Sequence, residues 1–171
     1  MATSRSHERL RRRPLLLAVG LMTSCLTPRP GPDPALETLA PLMLPEIWNH
    51  MSRLSGLGGK ETALCIAEVR SAYPFQRRAP SDRMLAVLPE VGPPLVPATL
   101  CTFEGTRVFY GEPAGEAYFV GLGPVSPVRA DSVEVLAQYR VHGRNGAGYR
   151  CVFRAGERAW QLLACDVVAA S

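Results

Sequence analysis

From Ala98 to the end of the chain the apolar residues recur with a period of two, and no other feature constrains the fold as much. Successive side chains of a β-strand point to opposite faces, so this alternation predicts strands with one buried and one wet side. The predicted strands span 98–103, 107–111, 116–123, 132–142, 148–154 and 159–168. In 132–142, Val133, Val135, Ala137, Tyr139 and Val141 alternate with Glu134, Gln138, Arg140 and His142. An antiparallel sheet covered on one side reads this way. Arg144-Asn145-Gly146-Ala147 holds the Asn-Gly pair that favours a tight hairpin, and Ala155-Gly156-Glu157 predicts a second tight turn.

Before Ala98 the period lengthens. Leu44, Ile47, Trp48, Met51 and Leu54 recur at helical spacing and predict a helix over 45–55. Pro45 suits its first turn and Gly56 its end. Residues 35–43 add a short helical piece interrupted at Pro41. Ser81 is the expected N-cap of a second helix over 82–88, with Met84, Leu85 and Leu88 facing inward. Residues 62–69 lie between the helices and read as a strand.

Helices first and a meander afterwards predict an α+β domain over 45–171, with the N-terminal helices packed on one face of a curved antiparallel sheet of about five to six strands. Its expected core is Val133, Val135, Tyr139, Tyr149, Phe153 and Trp160, lying under Trp48 and Met51 of the first helix. The element order, and the closing pair Gly148-Tyr149-Arg150-Cys151-Val152-Phe153 and Trp160-Gln161-Leu162-Leu163, resembles the cone-shaped folds of NTF2-like and cystatin-like proteins over 45–170. The resemblance is one of element order and hairpin texture and transfers no functional residue.

The first 24 residues form a different kind of segment. Arg9, Arg11, Arg12 and Arg13 make a cationic head, Leu15 to Met22 an apolar core, and Thr23-Ser24 a small-residue site before Cys25. These are the parts of a secretory signal peptide. The stretch also resembles the lipobox of bacterial lipoprotein precursors, which implies cleavage after Ser24 and lipidation of Cys25. Met22 stands where that pattern usually has Leu. Plain secretion, and a basic tail on a protein that is not exported, are the other two readings. The apolar core is too short to span a bilayer, which needs about 20 apolar residues. Residues 26–34 hold four prolines in nine positions, a composition that favours extended polyproline geometry. Residues 25–44 therefore read as anchor cysteine and spacer.

The leader also carries the charge. The whole chain has 19 basic and 15 acidic residues, and the part after Ser24 has 14 of each. A neutral domain has no electrostatic footprint for nucleic acid. Arg77-Arg78 reads as part of a solvated loop rather than a phosphate clamp.

Beyond Cys25 the cysteines are Cys65, Cys101, Cys151 and Cys165, an even number that suggests two disulfides in an exported domain. With a turn at Ala155-Gly156, Cys151 faces Trp160 and lies about 13 Å or more along the strand from Cys165. A disulfide needs Cα atoms within about 7 Å. The pairing 151–165, and with it 65–101, is therefore expected to be absent. That leaves 65–151 with 101–165, 65–165 with 101–151, or free thiols.

Catalytic signals are weak. His50 lies beside the apolar stripe of the first helix and His142 on a wet strand face; both read as structural or solvated. The segment 54–61 resembles a phosphate-binding loop only in its glycines, because Leu54 and Glu61 break the pattern. Gly121-Leu122-Gly123 reads as a bend before Pro124. No catalytic residue, metal site or cofactor is expected. The favoured reading is a membrane-tethered envelope lipoprotein with a non-enzymatic binding or structural role, taking an envelope protein, a glycan or an apolar ligand. The alternative is a ligand-binding or enzymatic NTF2-like domain whose pocket on the concave sheet face uses Tyr139, Trp160 and Asp166 as candidate lining, with Asp166 as base.

Overall fold

The computed structural model describes residues 35–54, 63–71, 76–105, 107–141 and 146–170. The leader, Cys25, the proline-rich segment 26–34, the glycine segment 55–61, His142 and Arg144-Asn145 lie outside the described residues.

The fold departs from the expected helix-covered meander. Among the described residues strand accounts for 56% and helical conformation for 23%, with two helices and two sheets. One helix is N-terminal, α1 (Leu36–Leu54); the other, α2 (Asp82–Val87), follows two strands. The first of these, β1 (Leu64–Ser71), is followed by β2 (Gln76–Arg78) and, after α2, by β3 (Leu95–Pro97) and a 3-10 turn, Ala98–Leu100. Then come β4 (Cys101–Glu104), β5 (Arg107–Tyr110), β6 (Gly115–Glu116), β7 (Tyr118–Arg129), β8 (Ser132–Arg140), β9 (Gly146–Ala155) and β10 (Trp160–Ala170).

Seven strands form one sheet in the order β10-β9-β8-β7-β1-β2, with β3 also paired to β1. The antiparallel run β7 to β10 is the expected meander. The correction concerns β1, which joins that meander in parallel with β7 and is also parallel to β3. Leu64, Cys65, Ile66 and Ala67 are all fully buried. A strand apolar on both faces belongs at a sheet's interior, and the unbroken run Ala-Leu-Cys-Ile-Ala carries that signature.

The helix α1 crosses one side of the large sheet. Leu39, Ala40, Met43, Leu44, Ile47 and Met51 are fully buried, a longer stripe than that predicted over 45–55. Pro41 and Pro45 lie inside the helix rather than interrupting it. Each removes a backbone donor, and the continuous buried stripe compensates. The ordered fold therefore reaches back into the segment read as spacer. Val133, Val135, Tyr139, Tyr149 and Phe153 are buried beneath α1 as expected, while Trp160 is only partly buried at the margin of the same core.

The short helix α2 has its expected cap, with the Ser81 hydroxyl accepting from the Met84 amide at 3.0 Å. The same hydroxyl donates to Glu37 at 2.7 Å, which fastens α2 to the first turn of α1. On the far side of the sheet a second layer, β4-β5-β6, covers β1 and β7. Cys65, Ala67, Val108 and Phe119 form a small core between the layers, and Phe103 meets Phe119 edge-on at 5.5 Å.

Both disulfides correct the sequence expectation. Cys65 pairs with Cys101 and ties the two sheets, their Cα atoms 6.4 Å apart. Cys151 pairs with Cys165, Cα atoms 4.0 Å apart, across β9 and β10. The expected register failed for two reasons. Ala155 pairs with Trp160, so the turn between them is longer than assumed, and this alone moves the partner of Cys151 to Ala164. A bulge between Leu162 and Ala164 supplies the last residue of the shift. Two disulfides indicate an oxidising, exported compartment.

Candidate functional site

The second layer covers only part of the outer side of the large sheet. Across β8, β9 and β10 that side leaves Arg140, Arg150, Arg154 and Asp166 exposed. Between the charges runs an apolar seam. It begins at Val69 of β1, crosses Leu136 and Gly148, and reaches Val168 on the edge strand β10. A cavity of about 180 Å³ opens there, lined also by Gly123, Ala137, Gln138 and Tyr149. A second trough of about 250 Å³ continues from Gln138 and Gly148 toward Arg140 and Ala170.

Glycines shape this floor. Gly123 has a φ of +102°, and a Cβ there would stand 2.7 Å from the Val69 carbonyl oxygen. Only glycine fits, and the position marks a bulge between Leu122 and Val125. Where the sequence suggested a bend ending a strand, β7 continues through Gly123 to Arg129. At Gly121 a Cβ would be 2.8 Å from Val69 Cγ2 and 3.2 Å from Gln138 Nε2. The Gln138 amide thus lies flat over Gly121. Its Nε2 is buried and has no hydrogen-bond acceptor among the described residues. A buried donor without a partner is costly and rare in a native fold.

Tyr139, Trp160 and Asp166 are not brought together. Tyr139 is 4% exposed in the core under α1, its ring 5.8 Å from that of Tyr149. Burial, with the neighbouring phenol second, holds the Tyr149 hydroxyl above the ordinary tyrosine value. Trp160 lies opposite Ala155 at the other end of the hairpin. Asp166 is exposed opposite Arg150, on the outer side, away from Tyr139. His50 packs edge-on against Tyr149 at 5.5 Å, as the structural reading of that residue expected. Arg77 and Arg78 are not loop residues but form part of β2. Arg78 makes a two-pronged ion pair with Glu68, both contacts 2.6 Å, and Arg77 lies 3.8 Å over the Phe103 ring.

The residues that sequence reasoning missed are Gln138 and Gly148. Gln138 read simply as one of the wet positions of its strand. The available signal was Gly148 inside an alternating strand, since a glycine there often marks a close approach. No family model, no curated protein and no solved structure matches the chain.

Proposed function

We propose that the chain is an exported lipoprotein of the bacterial cell envelope, tethered through Cys25 and its proline-rich spacer, whose folded domain has a non-enzymatic binding role. One observation carries the binding half. The edge strand β10 exposes Leu163 and Val168, at 49% and 53%, and Val168 lines the apolar seam of the outer face. Among the described residues no strand pairs with the outer edge of β10; an open apolar edge is a template for a partner, and a contiguous apolar surface marks an interaction site. The binding surface is therefore the outer side of β8 to β10. The leader's charged head, apolar core and small-residue site support the tether.

Two measurements test this reading. Cys25→Ala should move the protein from the membrane to the soluble fraction of its host, and unchanged fractionation would overturn the tether. A photo-crosslinking residue at Leu163 or Val168 should give a discrete adduct in the host, identifiable by mass spectrometry. The same residue at Arg83 of α2 should give none. Equal labelling at all three positions, or none at Leu163 and Val168, would overturn the assignment of the surface.

A further inference from the structure

At the sheet edge opposite β10, the strand β2 meets the second layer, and a cavity of about 280 Å³ opens between them. Ala67 of β1, Ala98 of the 3-10 turn and Phe103 of β4 give it an apolar wall, and Thr99 adds an exposed hydroxyl. The rest of the lining is basic. Arg77 and Arg78 both contribute to it, and no aspartate or glutamate does.

The two arginines differ in what they have left to bind. The Arg78 guanidinium is committed to the Glu68 carboxylate through two contacts of 2.6 Å, so its charge is neutralised. Arg77 makes no ion pair among the described residues. Its guanidinium carbon lies 3.8 Å from the centre of the Phe103 ring, a stacking distance. A stacked guanidinium keeps its N–H donors in its own plane, where a planar carboxylate can accept two of them at once. Phe103 is held in turn by its edge-on contact with Phe119, which is buried between the two layers. Arg77 therefore differs from a loose surface arginine, because the rings beneath it fix its position before anything binds. Such preorganisation lowers the entropy lost on binding.

We propose that this cavity binds a compact monocarboxylate with an apolar, ring-sized body. The carboxylate accepts from the Arg77 guanidinium, and the body lies against Phe103, Ala67 and Ala98. Small-molecule sites combine apolar walls with a few placed polar groups in this way. A neutral ligand of the same shape leaves the cation unused. A dianion brings a second charge that meets no unneutralised cation, since Arg78 belongs to Glu68. The site lies at the other edge of the sheet from the β8 to β10 surface and does not depend on it.

The test uses purified Cys25→Ala protein with both disulfides formed, titrated with benzoate, with benzamide, its neutral counterpart of the same shape, and with phenyl phosphate. NMR reads the Phe103 ring and the Ala67 and Ala98 methyls. Benzoate should shift these signals saturably and bind at least about tenfold more tightly than benzamide, the gain expected from a charge-assisted hydrogen bond. Phenyl phosphate should bind no more tightly than benzoate. Arg77→Gln should bring benzoate down to the affinity of benzamide, and Arg77→Lys, which keeps the charge and loses the planar fork, should weaken it several-fold. Arg129→Gln, at an exposed arginine of β7, should change nothing. Equal binding of benzoate and benzamide, no saturable shift, or benzoate binding undiminished by Arg77→Gln or Arg77→Lys would each overturn the proposal. So would an equal loss on Arg129→Gln, which would reduce the effect to net charge, or tighter binding of phenyl phosphate, which would reassign the site to a phosphate.

Discussion

Cys151 and Cys165 face each other directly across the last hairpin, and Val135 of β8 is the partner of Cys151 on its other side. The bridge therefore sits where three strands meet. Non-reducing peptide mapping should recover a 151–165 linked peptide together with a 65–101 linked peptide. The separations are 14 and 36 residues, so loop closure alone predicts losses of about 3 and about 4 kcal/mol when each bridge is removed. Urea melts of Cys165→Ser and Cys101→Ser check the order; a larger loss at Cys165 would contradict it.

Two aromatic residues of one hairpin should respond differently to truncation. Phe153 is fully buried, so Phe153→Ala should cost about 3–5 kcal/mol. Trp160 lies at the core's margin, so Trp160→Ala should cost less, about 2 kcal/mol, and leave the domain folded. Equal losses in denaturant melts would show that Trp160 is better covered than its position implies.

Glycine substitutions should have opposite signs. Gly123→Ala meets both a left-handed backbone and the Val69 carbonyl at 2.7 Å, and should destabilise by about 1–3 kcal/mol. Gly148→Ala should stabilise by about 0.5–1 kcal/mol, because a strand residue gains a Cβ at no steric cost. Thermal melts of the two variants decide it, and destabilisation at Gly148 would count against the open space described there.

Stability should fall at alkaline pH. The Tyr139 and Tyr149 hydroxyls are both held above the ordinary value of 10, chiefly by burial. Each phenol keeps its proton in the folded state after the unfolded chain has lost it. The stabilisation is thus fully present below about pH 10 and is lost as pH rises toward the folded values, by up to about 1.4 kcal/mol per pH unit for each tyrosine. Tyr149→Phe should flatten that slope, measured by urea melts between pH 9 and 11.

Local signals were well written in the sequence. Ser81 announced α2, and the alternation Val133, Val135, Ala137, Tyr139 announced both β8 and its buried side. Long-range relations were not. Nothing local tells Leu64 to lie beside Tyr118, because parallel pairing leaves no turn to read. The strands β2, β3 and β6 have two or three residues each, too few to show a period. The bulge between Leu162 and Ala164 is also silent in sequence, yet it changed a disulfide assignment. The candidate site was missed for a related reason. It is a space bordered by Gly123 and Gly148, and an empty space becomes visible only when neighbouring strands are in place.

The parallel seam between β1 and β7 governs the order in which this chain can assemble. Leu64 and Tyr118 are partners, yet more than fifty residues separate them. A chain emerging N-terminus first presents β1 long before β7 exists. Meanwhile the β7–β8, β8–β9 and β9–β10 pairings all join sequence neighbours, so the meander can form by itself once it has emerged. Completion of the sheet must therefore wait for the C-terminal half. Until then β1, whose residues Leu64 to Ala67 are fully buried in the finished fold, has no β7 beside it, and its apolar run needs shielding from aggregation.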